Sequence, residues 1–360
     1  MKTKKESGGQ AHLWNAVILL TVAVAAGGWF LISTLQVGEP ESSDIQEPPD
    51  IPGQVIVTVP WNPHSIADTM IRSMAGDMDT QVTVENVTGA NGATGANAVF
   101  SAVSDGTSLL STNLSAFVTS ESMGFGQSSH RDWAAWLCAF SPAIITVTAD
   151  SPYHTIGELI EAARQDPGGL RSANPGLGTA GFVAAELFRI CTPLEFQHFD
   201  YAGSSPAIHA LLNSEVDFAI LLSIEVTERL RSGELRALGA FSVTDFTLSK
   251  SDGEIVIPSL IGVSARLDAT LPFGEFYGLL TPADVPEEQL YGLDVLVDSA
   301  VAEGADFASF ISQTGLAATK PDRNRGTETM ERMASLMCWT LYDVGYLPTN
   351  PNTLGMPRLF

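Results

Sequence analysis

Asn62, His64, Ser65 and Asp68 are packed into one short stretch, Val59-Pro60-Trp61-Asn62-Pro63-His64-Ser65-Ile66-Ala67-Asp68-Thr69. An apolar run ends there and a helix-like pattern begins. Ser65 offers a hydroxyl, Asn62 and His64 offer side-chain donors, and the backbone N–H groups of 65–68 have no partner within a helix. A helix start of this kind holds a small anion, because its N–H groups and its dipole both favour negative charge. Asp68 does not suit a direct bond to a carboxylate. It is expected to cap the helix start, to orient a water or neighbouring loop, or to pair with a ligand amine.

Three more stretches offer the same chemistry. Thr112 and Asn113 follow an apolar run and can both donate. Asn174-Pro175-Gly176-Leu177-Gly178-Thr179-Ala180-Gly181 follows a strand-like run and opens a helix, which places Gly178, Thr179 and Ala180 at an anion-binding turn. Tyr201-Ala202-Gly203-Ser204-Ser205-Pro206 forms a third entrance, with Tyr201 able to stack on or bond a ligand, Gly203 and Ser204 at the turn, Ser205 expected as cap and Pro206 in the first turn. Gly176, Gly178 and Gly181 also fit a dinucleotide pattern, a weak signal when it stands alone.

Covalent and metal chemistry find little support. The six histidines form no His-x-x-x-His pair, and neither a Gly-x-Ser-x-Gly elbow nor a P-loop occurs. Cys138, Cys191 and Cys338 are too few and too scattered for a metal site, so neither metal nor cofactor is expected. One disulfide or three ordinary buried thiols both fit.

The elements that position these residues alternate. Strands are expected at 55–59, 82–84, 108–110, 144–148, 170–173, 196–199, 218–222 and 276–280. Helices are expected from Ser65, over 94–102, through Arg164, over 179–190 and 205–212, and at 286–301 and 327–344. Thr155 and Glu158 form a capping box. Alternation argues for an α/β protein with parallel sheets, and a return of the chain to the first set argues for two lobes around a cleft. Ligands of open α/β sheets sit at the C-terminal strand edges, where these loops lie.

The second motif is the most distinctive: Val84-Glu85-Asn86, then Gly89-Ala90-Asn91-Gly92-Ala93-Thr94-Gly95-Ala96, followed by Ser104-Asp105-Gly106-Thr107. In this order, over roughly 51–347, the chain resembles the substrate-binding proteins of tripartite tricarboxylate transporters. The resemblance implies a two-lobed type II periplasmic-binding-protein fold hinged by crossover strands. It also implies an extracytoplasmic receptor for a small organic carboxylate that delivers to integral-membrane permease subunits. It departs from the family twice. Pro63 and His64 stand where a Gly-Gly pair is usual, and the segment 242–270 lacks the usual Arg-x-x-x-x-Pro-x-x-Pro-Thr-x-x-Glu stretch.

Charge and termini complete the reading. With 41 acidic against 18 basic side chains the net charge is −23, which argues against nucleic-acid binding. Residues 1–38 read as a membrane anchor or a cleaved signal, because lysines precede an apolar run at 16–35 that is long enough to span a bilayer. Residues 39–53 read as an acidic, Pro-rich linker. Lobe 1 is expected at 54–145 and 274–348, lobe 2 at 146–273, and a C-terminal tail at 349–360. This places the protein outside the cytoplasm, tethered to the inner membrane by 16–35. A membrane-tethered carboxylate sensor or scaffold uses the same features; a secreted α/β enzyme would need a nucleophile-base pair that the motifs do not supply.

Overall fold

The structure, a computed structural model, describes residues 51–360; the anchor or signal segment at 1–38 and most of the linker lie outside the described residues. The chain runs β1 (Gln54–Val59), α1 (Ile66–Met74), β2 (Gln81–Asn86), α2 (Ala93–Phe100), β3 (Ser108–Asn113), α3 (Leu114–Ser120), β4 (Trp133–Thr148), α4 (Ile156–Gln165), β5 (Arg171–Asn174), α5 (Ala180–Cys191), β6 (Gln197–Asp200), α6 (Ser204–Leu212), β7 (Phe218–Leu222), α7 (Ser223–Ser232) and β8 (Leu235–Ala240). It continues through β9 (Phe246–Lys250), β10 (Gly253–Ile257), α8 (Ala265–Asp268), β11 (Gly274–Pro282), α9 (Glu287–Glu303), α10 (Ala305–Thr314), β12 (Ala317–Ala318) and α11 (Arg323–Asp343). The Thr155–Glu158 capping box opens α4 as expected.

The strand order is β2-β1-β3-β11-β4-β7-β5-β6. The β2-β1-β3 and β7-β5-β6 sets are parallel. The purely parallel expectation needs correction at the centre. β11 runs antiparallel to both β3 and β4, and β4 runs antiparallel to β7 and β8. These two strands join the lobes: residues 133–142 of β4 pair with β11, and residues 143–148 pair with β7 and β8. Pro142 stands where β4 changes partners, a place in a central strand where a missing N–H is tolerated. All of β4 except its last residue is buried. It lacks the alternation that marks a half-buried strand, which is why only 144–148 is readable from sequence.

Three apolar clusters fill the body. One lies under β1, α1, α9 and α10, one on the β7 and β8 side of the second lobe, and the largest runs beneath the crossing strands between α5, α3 and α11. Phe140 and Phe276 stack at 4.3 Å at this crossing. The 242–270 segment folds as the antiparallel β9–β10 hairpin, and Ser259 bridges to Ala240. The thiols of Cys138, Cys191 and Cys338 are free and buried. After α11 the chain stays packed: Arg358 lies over the Trp339 ring and bonds Asp343. No helix among the described residues is long and apolar enough to cross a membrane.

Candidate functional site

The β1–α1 loop is held by the protein's own charges. Ser65 caps α1 by accepting from the Asp68 N–H at 3.3 Å. Asp68, 1% exposed, accepts from the His64 N–H at 2.8 Å, from two Arg72 nitrogens at 3.0–3.1 Å and from Asn86 Nδ2 at 2.9 Å. Burial pushes its carboxyl up, but these donors and the Arg72 charge outweigh that and hold it at about 2. Asn86 also donates to the Trp61 carbonyl at 3.0 Å, so the Val-Glu-Asn motif ties two loops together. Asp68 therefore organises the loop through oxygens that are already engaged. Asn62 and His64 are exposed, and His64 adopts φ 67°. The glycine motif has a packing use too: a Cβ on Gly95 would lie 2.9 Å from the Val87 carbonyl and 3.0 Å from Pro60. The third glycine thus lets α2 approach the loop closely.

At the end of β3, Thr112 is buried and accepts from Trp61 Nε1 at 3.3 Å. Asn113 and the start of α3 meet Glu275 of β11. That carboxylate accepts from the Ser115 N–H at 2.9 Å, the Asn113 amide at 3.3 Å and the Ser115 hydroxyl. Burial still pushes the Glu275 carboxyl up.

In the second lobe the loops after β5 and β6 abut. Gly176, at φ 97°, faces the Tyr201 carbonyl, which a Cβ would approach to 2.3 Å. Gly178, at φ 89°, faces the Tyr346 hydroxyl after α11, with 2.9 Å to a would-be Cβ. Thr179 caps α5, accepting from the Phe182 N–H at 3.1 Å while its hydroxyl donates to the Gly176 carbonyl at 2.7 Å. That leaves the first-turn N–H groups of Ala180 and Gly181 as the donors of this helix start. Gly181 is a packing glycine, since a Cβ would meet Pro175 at 2.6 Å. Of the two acids roughly twenty residues beyond the glycine pattern, Glu195 and Asp200, the second accepts from Asn174 at 2.7 Å. Tyr201 is half-buried beside the second-lobe cluster. The cap of α6 is Gly203, not Ser205 as the sequence pattern predicts, and Ser204 is the first helical residue. Its hydroxyl bonds Glu225 of α7.

The strand ends explain why these residues converge. β3 and β7 finish close together along β4, at its change of partners, and β1 and β5 end beside them as their parallel neighbours. Leu222 pairs with Ala143 there, and Tyr277 pairs with Asn113. The helix starts of both lobes therefore face one region. Glu225, Glu275 and Tyr277 belong to it and are not marked by any sequence motif. Their one signal is a lone acid inside the apolar run Phe273–Leu280, and an acid three residues past the apolar strand Phe218–Leu222. Among the described residues no group of three His, Cys, Asp or Glu side chains is placed to hold a metal ion.

A mixed α/β body with two parallel sets joined by antiparallel crossing strands, and helix starts from both lobes facing the junction, defines a two-lobed periplasmic binding protein. Residues 66–331 match the tripartite tricarboxylate transporter family receptor, and the chain belongs to that family. It is 30% identical over 268 residues to the "UPF0065 protein in tcbD-tcbE intergenic region" of Pseudomonas sp. (strain P51), covering 72% of this chain and 76% of that one. A TctC solute binding protein from Polaromonas shares the fold with a TM-score of 0.68 at 23% identity, covering 81% of this chain and 98% of that one. MatC from Rhodopseudomonas palustris, solved with bound malate, aligns with a TM-score of 0.54 at 19% identity, over 80% and 98% of the two chains. The protein is a solute receptor of the periplasmic type.

Proposed function

We propose that this receptor closes its two lobes on a small organic carboxylate and passes it to integral-membrane permease subunits, without chemistry and without a cofactor. The observation that carries the reading is the convergence of helix starts from both lobes at the strand crossing. Such starts supply oriented N–H donors to an anion, and hinge closure around a ligand uses donors from both sides. Lobe 1 offers the α1 turn at Asn62, His64 and Ser65, with Thr112 and Asn113 beside it. Lobe 2 offers Gly178, Thr179 and Ala180 at α5, and Tyr201, Gly203 and Ser204 at α6. MatC, with its bound malate, supports a carboxylate as the ligand class. The apolar segment 16–35 would tether the receptor to the inner membrane, facing outward.

A thermal-shift screen against mono-, di- and tricarboxylates tests this. A ligand at about one hundred times its Kd stabilises the folded state by roughly 2.7 kcal/mol, which raises Tm by several degrees. A screen in which no carboxylate moves Tm removes the carboxylate reading.

A further inference from the structure

We propose that the ligand carries an ammonium group beside its carboxylate, and that Glu225, Glu275 and the Tyr277 hydroxyl receive that cationic end. This deepens the receptor reading and rests on it.

Tyr277 is only 7% exposed, and its hydroxyl has no hydrogen-bond partner among the described residues. The ring is shielded while the oxygen at its tip stays open to a partner from the solvent side. The two carboxylates lack something as well. Three other shielded acids among the described residues carry an arginine: Asp68 has Arg72, Glu186 has Arg189 and Asp294 has Arg323. Glu225 and Glu275 have no basic partner among the described residues.

Geometry brings the three together. Glu275 and Tyr277 are two apart on β11, so their side chains leave the same face of the strand. Glu275 pairs with Ser141 of β4. The Ser141 hydroxyl lies 2.9 Å from the Ser223 hydroxyl and accepts from the Ile224 N–H at 3.2 Å. Lobe 1's strand and lobe 2's α7 are thus joined one residue away from Glu225. The Glu225 carboxylate accepts from the Leu222 N–H at 2.7 Å and from Ser204. The Tyr277 ring belongs to the apolar cluster against which Trp61 and Ile224 pack.

Electrostatics agree with the placement. Burial pushes the Glu225 carboxyl up to about 7, with the charge of Glu275 adding to the rise. Burial also drives the Tyr277 hydroxyl well above its ordinary value, reinforced by the charges of Glu275 and Glu225. A second anionic group of the ligand would be repelled here. An ammonium would relieve both carboxylates and give the Tyr277 oxygen a donor. The groups facing Glu225 are Glu275 and Tyr277 from β11 and Ser204 from α6. Binding an ammonium lowers the Glu225 pKa, so affinity should climb with pH toward about 7 and level off above it.

Isothermal titration of the protein with three matched pairs tests the proposal: aspartate and succinate, glutamate and glutarate, alanine and propionate, all at pH 8. In at least one pair the amino member should bind about tenfold tighter or more. Glu225→Gln keeps an oxygen for the Leu222 N–H and should reduce that preference to about threefold or less. Tyr277→Phe keeps the ring and should weaken the amino member by about tenfold. Melting curves confirm that each variant is folded, and either variant alone can decide the outcome. Deamino members that bind as tightly as, or tighter than, their amino partners in every pair overturn the proposal and leave the receptor reading standing. If no member of any pair binds, the carboxylate reading falls and this inference with it.

Discussion

The starts of α3 and α5 are built alike and used differently. Each opens after the C-terminal end of a strand, β3 or β5, and each has first-turn N–H groups with no partner inside the helix. At α3 the Glu275 carboxylate already accepts from the Ser115 N–H at 2.9 Å. At α5 no carboxylate among the described residues accepts from the first turn, and the neutral Thr179 hydroxyl takes the Phe182 N–H. The start of α1 differs from that of α3, since Asp68 takes the N–H of His64, which lies before the Ser65 cap. A helix start is an anion site only where the surrounding fold has not supplied its own anion. By that criterion α5 keeps open donors and so does α1, whose Ile66 and Ala67 N–H groups lie past the cap, while α3 has spent its start on Glu275.

Removing an internal carboxylate should break this contrast most visibly. Glu275→Ala leaves the Ser115 N–H and hydroxyl buried without the carboxylate that accepts from them, while the Asn113 amide keeps the Ser115 oxygen at 3.3 Å. The expected loss is about 3 kcal/mol of unfolding free energy in a urea titration. A change under about 0.5 kcal/mol would show that water satisfies these donors.

Asp68 should cost somewhat less, and its cost depends on pH. Its folded-state value of about 2 lies below its ordinary 3.8. A depressed carboxylate contributes stability that is fully present above the unfolded value and is lost as pH falls through the folded one. That contribution is about 2 kcal/mol, and it fades between roughly pH 4 and pH 2. Asp68→Asn should flatten that part of the acid-denaturation profile. A variant profile as steep as that of the wild type would assign the acid sensitivity elsewhere.

The open α5 start sharpens the comparison from the other side. Thr179→Val removes the α5 cap and the bond to Gly176, and should cost about 1 kcal/mol of stability. It should also weaken carboxylate binding about tenfold, because the Ala180 and Gly181 donors lose their positioning. Thr179→Ser should restore both. Unchanged affinity in Thr179→Val would remove α5 from the site.

His64→Gly should have the smallest effect. His64 sits exposed at φ 67°, a conformation that glycine reaches freely. Relief of strain and the greater entropy of the unfolded chain nearly cancel, so stability should move by under about 1 kcal/mol. A large loss of stability would mean that the imidazole supports the loop.

Much of this protein could be read along the chain because the signals were local. Phe218–Leu222, the Thr155–Glu158 capping box and the helix starting after Thr179 each follow from residues within a few positions of one another. The Gly-rich turns were readable for the same reason: a left-handed turn or a close approach demands glycine at one position. The length of β4 was not readable, because a strand buried on both faces shows no alternation. Nor was the α6 cap, where Gly203 at φ 110° displaced the expected Ser205. The composition of the site was the least legible part. Thr112, Asn113, Thr179 and Ser204 announce themselves as donors beside strand ends, but Glu225 and Glu275 are ordinary acids in sequence, 50 positions apart by number. Only the pairing of β4 with both β11 and β7 brings them to one place. Local sequence therefore determined which segments could present donors. The tertiary structure decided which donors remain free, because a carboxylate's reach is measured through space and not along the chain.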